Sequence, residues 1–158
     1  MTVQVFVEIP KGSHNKYEQD EETGEIMLDR SLHGPEEFPF EYGYIKGTKG
    51  EDNDPLDVVL LTTFPTFPSC IVESEVIGYL DMEDEGGIDH KVVAVPTEKI
   101  DPRWKDVRDM SDLKDEQKAE IKTFFETYKK LEPNKWVKVQ DFKSREEAEK
   151  LVEEARNR

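Results

Sequence analysis

The chain has 158 residues, enough for one domain with a substantial core, and carries 37 acidic against 22 basic side chains for a formal charge of −15. That balance argues against sequence-independent nucleic-acid binding and against docking on anionic lipid, both of which need a basic surface. No apolar run is long enough to span a bilayer. Residues 1–10 lack the basic start and apolar core of a signal peptide, and the single cysteine, Cys70, can form no intrachain disulfide. A single domain over residues 1–158, in the cytoplasm, is the expectation.

Taken in order, Val3, Val5, Val7 and Ile9 alternate with Gln4, Phe6 and Glu8. This predicts a strand with Glu8 on the face opposite the valines, ended by Pro10 and Gly12. Residues 16–20 and 25–30, around the polar turn Glu21-Glu22-Thr23-Gly24, predict a β-hairpin. Lys16 and Glu18 share one of its faces, and Arg30 shares a face with Ile26 and Leu28. Gly34-Pro35 breaks the chain before the aromatic cluster Phe38-Pro39-Phe40-Glu41-Tyr42-Gly43-Tyr44, expected as core or cavity wall.

Asp52, Asp54 and Asp57 then fall within six residues. Gly50 and Asn53 make the approach a turn, and Pro55 holds Asp54 out of the helical region. Val58-Val59-Leu60-Leu61 follows as a buried strand. The aspartates therefore belong to a stiff loop entering a strand. Such a loop is commonly a plain solvated turn. Alternatively, crowded carboxylates that repel one another gather a hard cation such as Mg²⁺. An EF-hand does not fit, because Leu56 and Asp57 stand where that pattern needs an oxygen ligand and glycine.

Phe64-Pro65-Thr66-Phe67-Pro68 predicts a rigid connector. Residues 70–77, 79–82 and 91–95 predict three more strands, with Cys70 a small buried hydrophobe. The last two are joined by a Gly86-Gly87 turn that sets Asp84 and Asp89 facing each other, with Lys91 on the side of Asp89. After Pro102 the period becomes helical. Ile121, Phe124, Phe125 and Tyr128 form one stripe, ended by Pro133 and Asn134. Residues 136–139 predict a short strand. Ser144-Arg145-Glu146-Glu147 is a capping box opening a last helix, with Ala148, Leu151, Val152 and Ala155 on one face. Strands first and helices last predict an α+β domain on an antiparallel sheet or small barrel, with its main helices C-terminal.

Glu8, Glu18, Asp52, Asp54, Asp57, Asp84 and Asp89 are thus spread over several strands, with Lys16, Arg30, Lys91 and Lys129 among them. If they converge, the carboxylates bind several divalent cations and the basic groups hold phosphate oxygens. Paired metals lower the pKa of a shared water and clamp the leaving oxygen of an in-line displacement, which is phosphoryl transfer to water. His14, His33 and His90 lack zinc-binding spacing, and neither a P-loop nor a serine nucleophile elbow is present. A metal- or oligosaccharide-binding module without turnover and a phosphatase of nucleoside or polyphosphate substrates remain open beside this reading.

Asp52-Asn53-Asp54-Pro55-Leu56-Asp57-Val58 resembles the signature of the family I soluble inorganic pyrophosphatases. So do Val7-Glu8-Ile9-Pro10, Asn15-Lys16-Tyr17-Glu18, Leu28-Asp29-Arg30, Glu41-Tyr42-Gly43-Tyr44, Asp84-Glu85-Gly86-Gly87-Ile88-Asp89-His90-Lys91 and Phe124-Phe125-Glu126-Thr127-Tyr128-Lys129. The likeness runs in order from Val3 to Val139. It implies hydrolysis of pyrophosphate to two phosphates with several Mg²⁺ ions per site, for which Mn²⁺ or Zn²⁺ can substitute. It also implies an OB-like five-stranded antiparallel barrel with flanking helices, and a homohexamer of two stacked trimers. By the same resemblance Asp52, Asp57 and Asp89 are ligands of the metals that activate water, and Asp84 is a ligand of a metal arriving with substrate. Asp54 is the general base, and Glu8 and Glu18 are outer metal ligands. Lys16, Arg30, Tyr42, Lys91, Tyr128 and Lys129 contact substrate and product. One departure is Phe38, where many bacterial members carry tyrosine, so a contact through that hydroxyl is missing. His90, between residues of the opposite face, is expected on the surface or in an interface.

Overall fold

The period-two run at the start of the chain forms β1 (Thr2–Ile9), and the structure, a computed structural model describing residues 1–158, is a barrel built from it. β1 pairs antiparallel with β4 (Glu41–Ile45) on one side and β6 (Ile71–Asp84) on the other. β4 pairs antiparallel with β5 (Asp57–Leu60), β5 pairs parallel with β8 (Lys91–Pro96), and β8 returns antiparallel to β6 to close the ring. The expected five-stranded barrel is present with one amendment: its β5–β8 pair is parallel, so the barrel is mixed. The chain between those two strands, β6 included, supplies the long crossover a parallel pair needs. A separate hairpin is formed by β2 (Asn15–Gln19) and β3 (Ile26–Ser31). β7 (Gly87–Ile88) folds back on the end of β6, and β9 (Val137–Lys143) lies along β6. The helices α1 (Asp115–Thr127) and α2 (Arg145–Arg156) come late in the chain, as expected.

Alternation along the strands divides the apolar residues between two cores. Val58, Leu60, Val92 and Ala94 join Val3, Val5 and Val7 in one core, closed by Ala148 and Val152 of α2. Val59, Val93 and Val95 face the other way and meet Phe38, Phe40, Tyr42 and the α1 stripe Ile121, Phe124, Phe125 and Tyr128. Ser144 caps α2 as its sequence predicts, accepting from the backbone of Glu147 while the Glu147 carboxylate accepts from Ser144 N.

The departures from simple alternation have local causes. β1 carries a bulge: Val7 pairs with Gly43 and Ile9 with Tyr42, so Glu8 is the extra residue. Ile9 consequently packs with the aromatic core and not with the valines. The aromatic cluster supplies β4, a strand its central Gly43 disguises. A Cβ there would lie 1.9 Å from the Phe6 carbonyl, so only glycine lets β1 approach. Residues 70–77 and 79–82, expected as two strands, are one 14-residue strand bent at a bulge where Val76 pairs with Ala94 and Gly78 with Val93. A side chain at Gly78 would meet Met110 and the Lys143 carbonyl. In the hairpin Asp29 is bulged, since Lys16 pairs with Arg30 and Tyr17 with Leu28. Arg30 therefore turns inward, although Leu28, expected on its face, is exposed. Asp84 pairs with Gly87 across a Glu85-Gly86 turn, and Asp89 N bonds the Met82 carbonyl. The two aspartates expected opposite each other are thus offset along the hairpin. Trp136 precedes β9, which runs on to Lys143. Cys70, expected as a buried hydrophobe, is half-buried against the valine core.

Candidate active site

The aspartate loop is stiff because its backbone bonds are made locally. Gly50 N donates to Asp54 O (2.7 Å), Asn53 N to Gly50 O (3.0 Å), and Asp54 N to the Asp52 carboxylate (3.0 Å). Asn53 takes φ 71°, a left-handed conformation that asparagine tolerates better than most residues. Below the loop, Leu56 N donates to Thr48 Oγ1 and Lys49 N to the Ala155 carbonyl of α2, fixing the loop to the barrel and to the last helix.

Asp57 opens β5 and Lys91 opens β8, and the parallel pairing of those strands sets the two side by side. Lys91 Nζ donates to Asp57 (2.8 Å), Asp89 (2.9 Å) and the Tyr42 hydroxyl (2.6 Å). Burial opposes its charge, but Asp57 above all, with Tyr42 and Asp89, lifts the ammonium well above its usual range. Burial and then Asp57 likewise hold the Tyr42 phenol protonated. Burial also raises the Tyr128 phenol against the opposing pull of Lys91 and Lys129. Tyr42 and Tyr128 thus present neutral hydroxyls beside a fixed cation.

The remaining walls carry further pairs. Lys129, at the end of α1, donates to Asp84 (3.2 Å) and Glu85 (3.3 Å). Asp29 holds both Lys16 (3.4 Å) and Arg30, which keeps its carboxylate low despite partial burial. Glu8 accepts from Gln19 N (2.8 Å), yet burial, with Asp57 and Glu18 nearby, raises its pKa to about 7. Burial, then Asp52 and Glu21, raise that of Asp54.

Glu8, Lys16, Glu18, Arg30, Tyr42, Asp54, Asp57, Asp84, Asp89, Lys91, Tyr128 and Lys129 line one cavity of about 290 Å³. These are twelve of the thirteen site residues expected from sequence. The thirteenth, Asp52, lies in an adjoining hollow of about 180 Å³ that it shares with Asp57, Asp89 and His90. His90 points away from the main cavity, stacks on Tyr79 (4.9 Å between centroids) and meets Asp81 at 3.0 Å. Seven carboxyl groups of the main cavity face five cationic side chains, Lys135 being the fifth. Asp57 and Asp89 already converge on one cation, the Lys91 ammonium. The donors are hard oxygens, and Glu8 and Asp54 share a hollow with Glu18 and Glu21 and no basic side chain, so the residues fit divalent cations. No three acidic or histidine side chains are already drawn together closely enough to hold a metal ion. Size does not distinguish the cavity, since a cleft of about 480 Å³ beside Trp104 is larger.

The inorganic pyrophosphatase family model matches residues 5–158. The chain belongs to the inorganic pyrophosphatase family. It is 46% identical over 155 residues to the inorganic pyrophosphatase of Nanoarchaeum equitans, covering 98% of this chain and 96% of that one. With that of Halalkalibacterium halodurans it shares 48% over 152 residues, covering 96% and 91%. The solved structure of the Helicobacter pylori inorganic pyrophosphatase superposes with a TM-score of 0.96 at 44% identity, covering 99% of this chain and 92% of that one. That from Thermus thermophilus gives 0.95 at 44% identity, covering 99% and 90%. Membership identifies a hydrolase that cleaves pyrophosphate to phosphate and depends on divalent metal, and it decides against a binding module without turnover.

Four acids in or beside the cavity of this pyrophosphatase carry no sequence signal of their own: Glu85 in its lining, and Asp29, Glu21 and Glu132 next to it. Asp29 and Glu85 belong to the motifs Leu28-Asp29-Arg30 and Asp84-Glu85-Gly86, next to Arg30 and Asp84. Glu21 sits on the hairpin turn and enters the wall beside Asp54. Glu132, buried against Arg30, left no sequence signal, because it follows α1 in a turn of mixed polarity.

Proposed function

We propose that this pyrophosphatase works with Mg²⁺ ions held by Asp52, Asp57, Asp84 and Asp89, with Glu8 and Glu18 as outer ligands and Asp54 as the general base. The observation that carries this reading is the lining of the 290 Å³ cavity, where carboxylates in excess are interleaved with Lys16, Arg30, Lys91, Lys129, Tyr42 and Tyr128. When bound, Mg²⁺ supplies the positive charge that makes a water acidic and neutralises phosphate oxygens. Asp54, whose pKa burial and then Asp52 and Glu21 raise, accepts the proton of the attacking water as general base. Arg30 and the lysines bind the phosphate oxygens, Arg30 through a planar fork and the lysines as point charges. Tyr42 and Tyr128 donate hydrogen bonds without changing the charge. A cavity at the small end of ligand sites (about 300–1,000 Å³) favours a compact dianhydride over a nucleotide.

Residues 1–158 are read as one domain, because the same strands face both cores. A homohexamer is supported by exposed apolar side chains such as Phe64, Phe67 and Ile71, and a cytoplasmic setting by the lone, unpaired Cys70. The deciding experiment measures phosphate release from pyrophosphate with Mg²⁺, with chelator, and with Asp54→Asn alongside. Fast release that needs Mg²⁺ and is largely lost in the variant supports the reading. No release from folded protein, with Mn²⁺ and Zn²⁺ also tried, rejects it, and equal turnover by the variant removes Asp54 from the mechanism. A panel with nucleoside triphosphates and polyphosphate tests the substrate class.

A further inference from the structure

Beyond the cavity lining, one buried acid has no assigned purpose. Glu132 is 7% exposed and lies in the turn after α1, its N–H bonded to the Lys129 carbonyl (3.0 Å). Its Oε1 sits 2.9 Å from Arg30 Nε, an ion pair, while Oε2 and Arg30 Nε are both buried without a hydrogen-bond partner. A buried carboxylate left half-satisfied costs stability and is not explained by packing. What it faces gives the explanation. Arg30 meets a carboxylate on two edges: Glu132 beside Nε, from the α1 turn, as an ion pair outside hydrogen-bond geometry, and Asp29, from its own hairpin, accepting from Nη1. Nη2 has no protein partner, and Arg30 lines the cavity.

We infer that Glu132 is a positioning residue for pyrophosphate binding: it fixes the plane of the Arg30 guanidinium so that Nη2 and the free hydrogen of Nη1 face phosphate. This rests on the proposed role of Arg30 as a substrate contact. An arginine on a two-stranded hairpin is otherwise free to rotate through many rotamers, and holding one of them is what a buried partner adds. Glu132 also ties two walls together. Tyr128 and Lys129 precede it in the same turn, so the Arg30 contact sets the hairpin wall against the α1 wall.

The test compares Glu132→Gln, Arg30→Lys and the double variant, by steady-state kinetics at saturating Mg²⁺ and by thermal unfolding. Glu132→Gln keeps the shape and removes the charge. The expected result is a KM for pyrophosphate raised about tenfold, a kcat changed much less, and no further rise when Glu132→Gln is added to Arg30→Lys. A bystander charge predicts the opposite sign, because removing an anion near an anion-binding cavity lowers KM. A purely structural role lowers the melting temperature and the active fraction at constant KM. Either result overturns the inference, as does an equal added rise in the double variant. If Arg30→Lys itself leaves KM unchanged, the role of Arg30 fails first and this inference falls with it. If Glu132→Gln does not fold, Glu132→Asp decides: the shorter acid must raise KM less than Arg30→Lys does, and an equal or larger rise rejects positioning.

Discussion

The two sides of the cavity solve the same electrostatic problem differently. On the strand side, Asp57 opens β5 and Asp89 lies in the link just before β8, and the buried Lys91 ammonium neutralises them from within. On the loop side, Asp54 stands with Glu8, Glu18 and Glu21 around a hollow with no basic side chain in its lining. The strand side is neutralised by the protein alone, whereas the loop side has no counter-charge of its own. Carboxylates of one residue type thus stand either paired within the protein or open to an added cation, according to whether a lysine shares the burial.

The largest expected effect separates the sides by chemistry. Asp54→Asn should lower kcat by about 10²–10⁴-fold, with the fold unchanged by circular dichroism, since only charge is altered. Next, Lys91→Met should remove the internal cation of the strand side. Urea titration without metal should show a loss of roughly 2–3 kcal/mol, at the low end because the Asp57 side chain is 36% exposed. Added Mg²⁺ should recover part of that loss by binding the freed carboxylates. A Lys91→Met protein equally stable with and without Mg²⁺ would refute the contrast.

The third prediction concerns pH in metal-free protein. The pKa of Glu8 is raised from 4.5 to about 7, so its stabilising contribution is complete below about pH 4.5 and is lost as pH rises towards 7. Glu8→Gln should match the parent near pH 4 and exceed it near pH 8, by on the order of 3 kcal/mol, and Mg²⁺ should shrink the gap. The smallest effect is a control remote from the cavity. Asp109 accepts from Arg145 N and Ser111 N, which hold its carboxylate below the usual range. Its contribution is present above about pH 4 and disappears as pH falls through the lowered value, the opposite sense to Glu8. Asp109→Ala should cost about 1 kcal/mol at pH 7 and converge on the parent in acid, with KM unchanged.

Legibility in the sequence followed the range of each interaction. The β1 periodicity, the Ser144 capping box and the α1 stripe are local patterns, and all became the elements they predict. The barrel's parallel pair, the Glu8 bulge and the Asp29 bulge depend on which strand lies alongside. No local pattern encodes that, and each bulge turned a neighbouring residue to the face opposite the expected one. Twelve of the thirteen expected residues share a cavity because the motifs that carry them mark positions, not contacts.

The sequence by itself determined the chemical inventory: an acidic chain, a stiff aspartate loop, and hydroxyl and basic groups of the kinds that hold phosphate. Residue types and short spacings fix these, since turns, caps and periodic faces are set within a few residues. Only the tertiary structure decided which acid meets which cation. Lys91 neutralises Asp57 from a strand 34 residues away in sequence, and Glu132 reaches Arg30 from across the cavity. Those pairings follow from strand order and from the docking of α1, where long-range burial selects among partners that the sequence leaves equivalent.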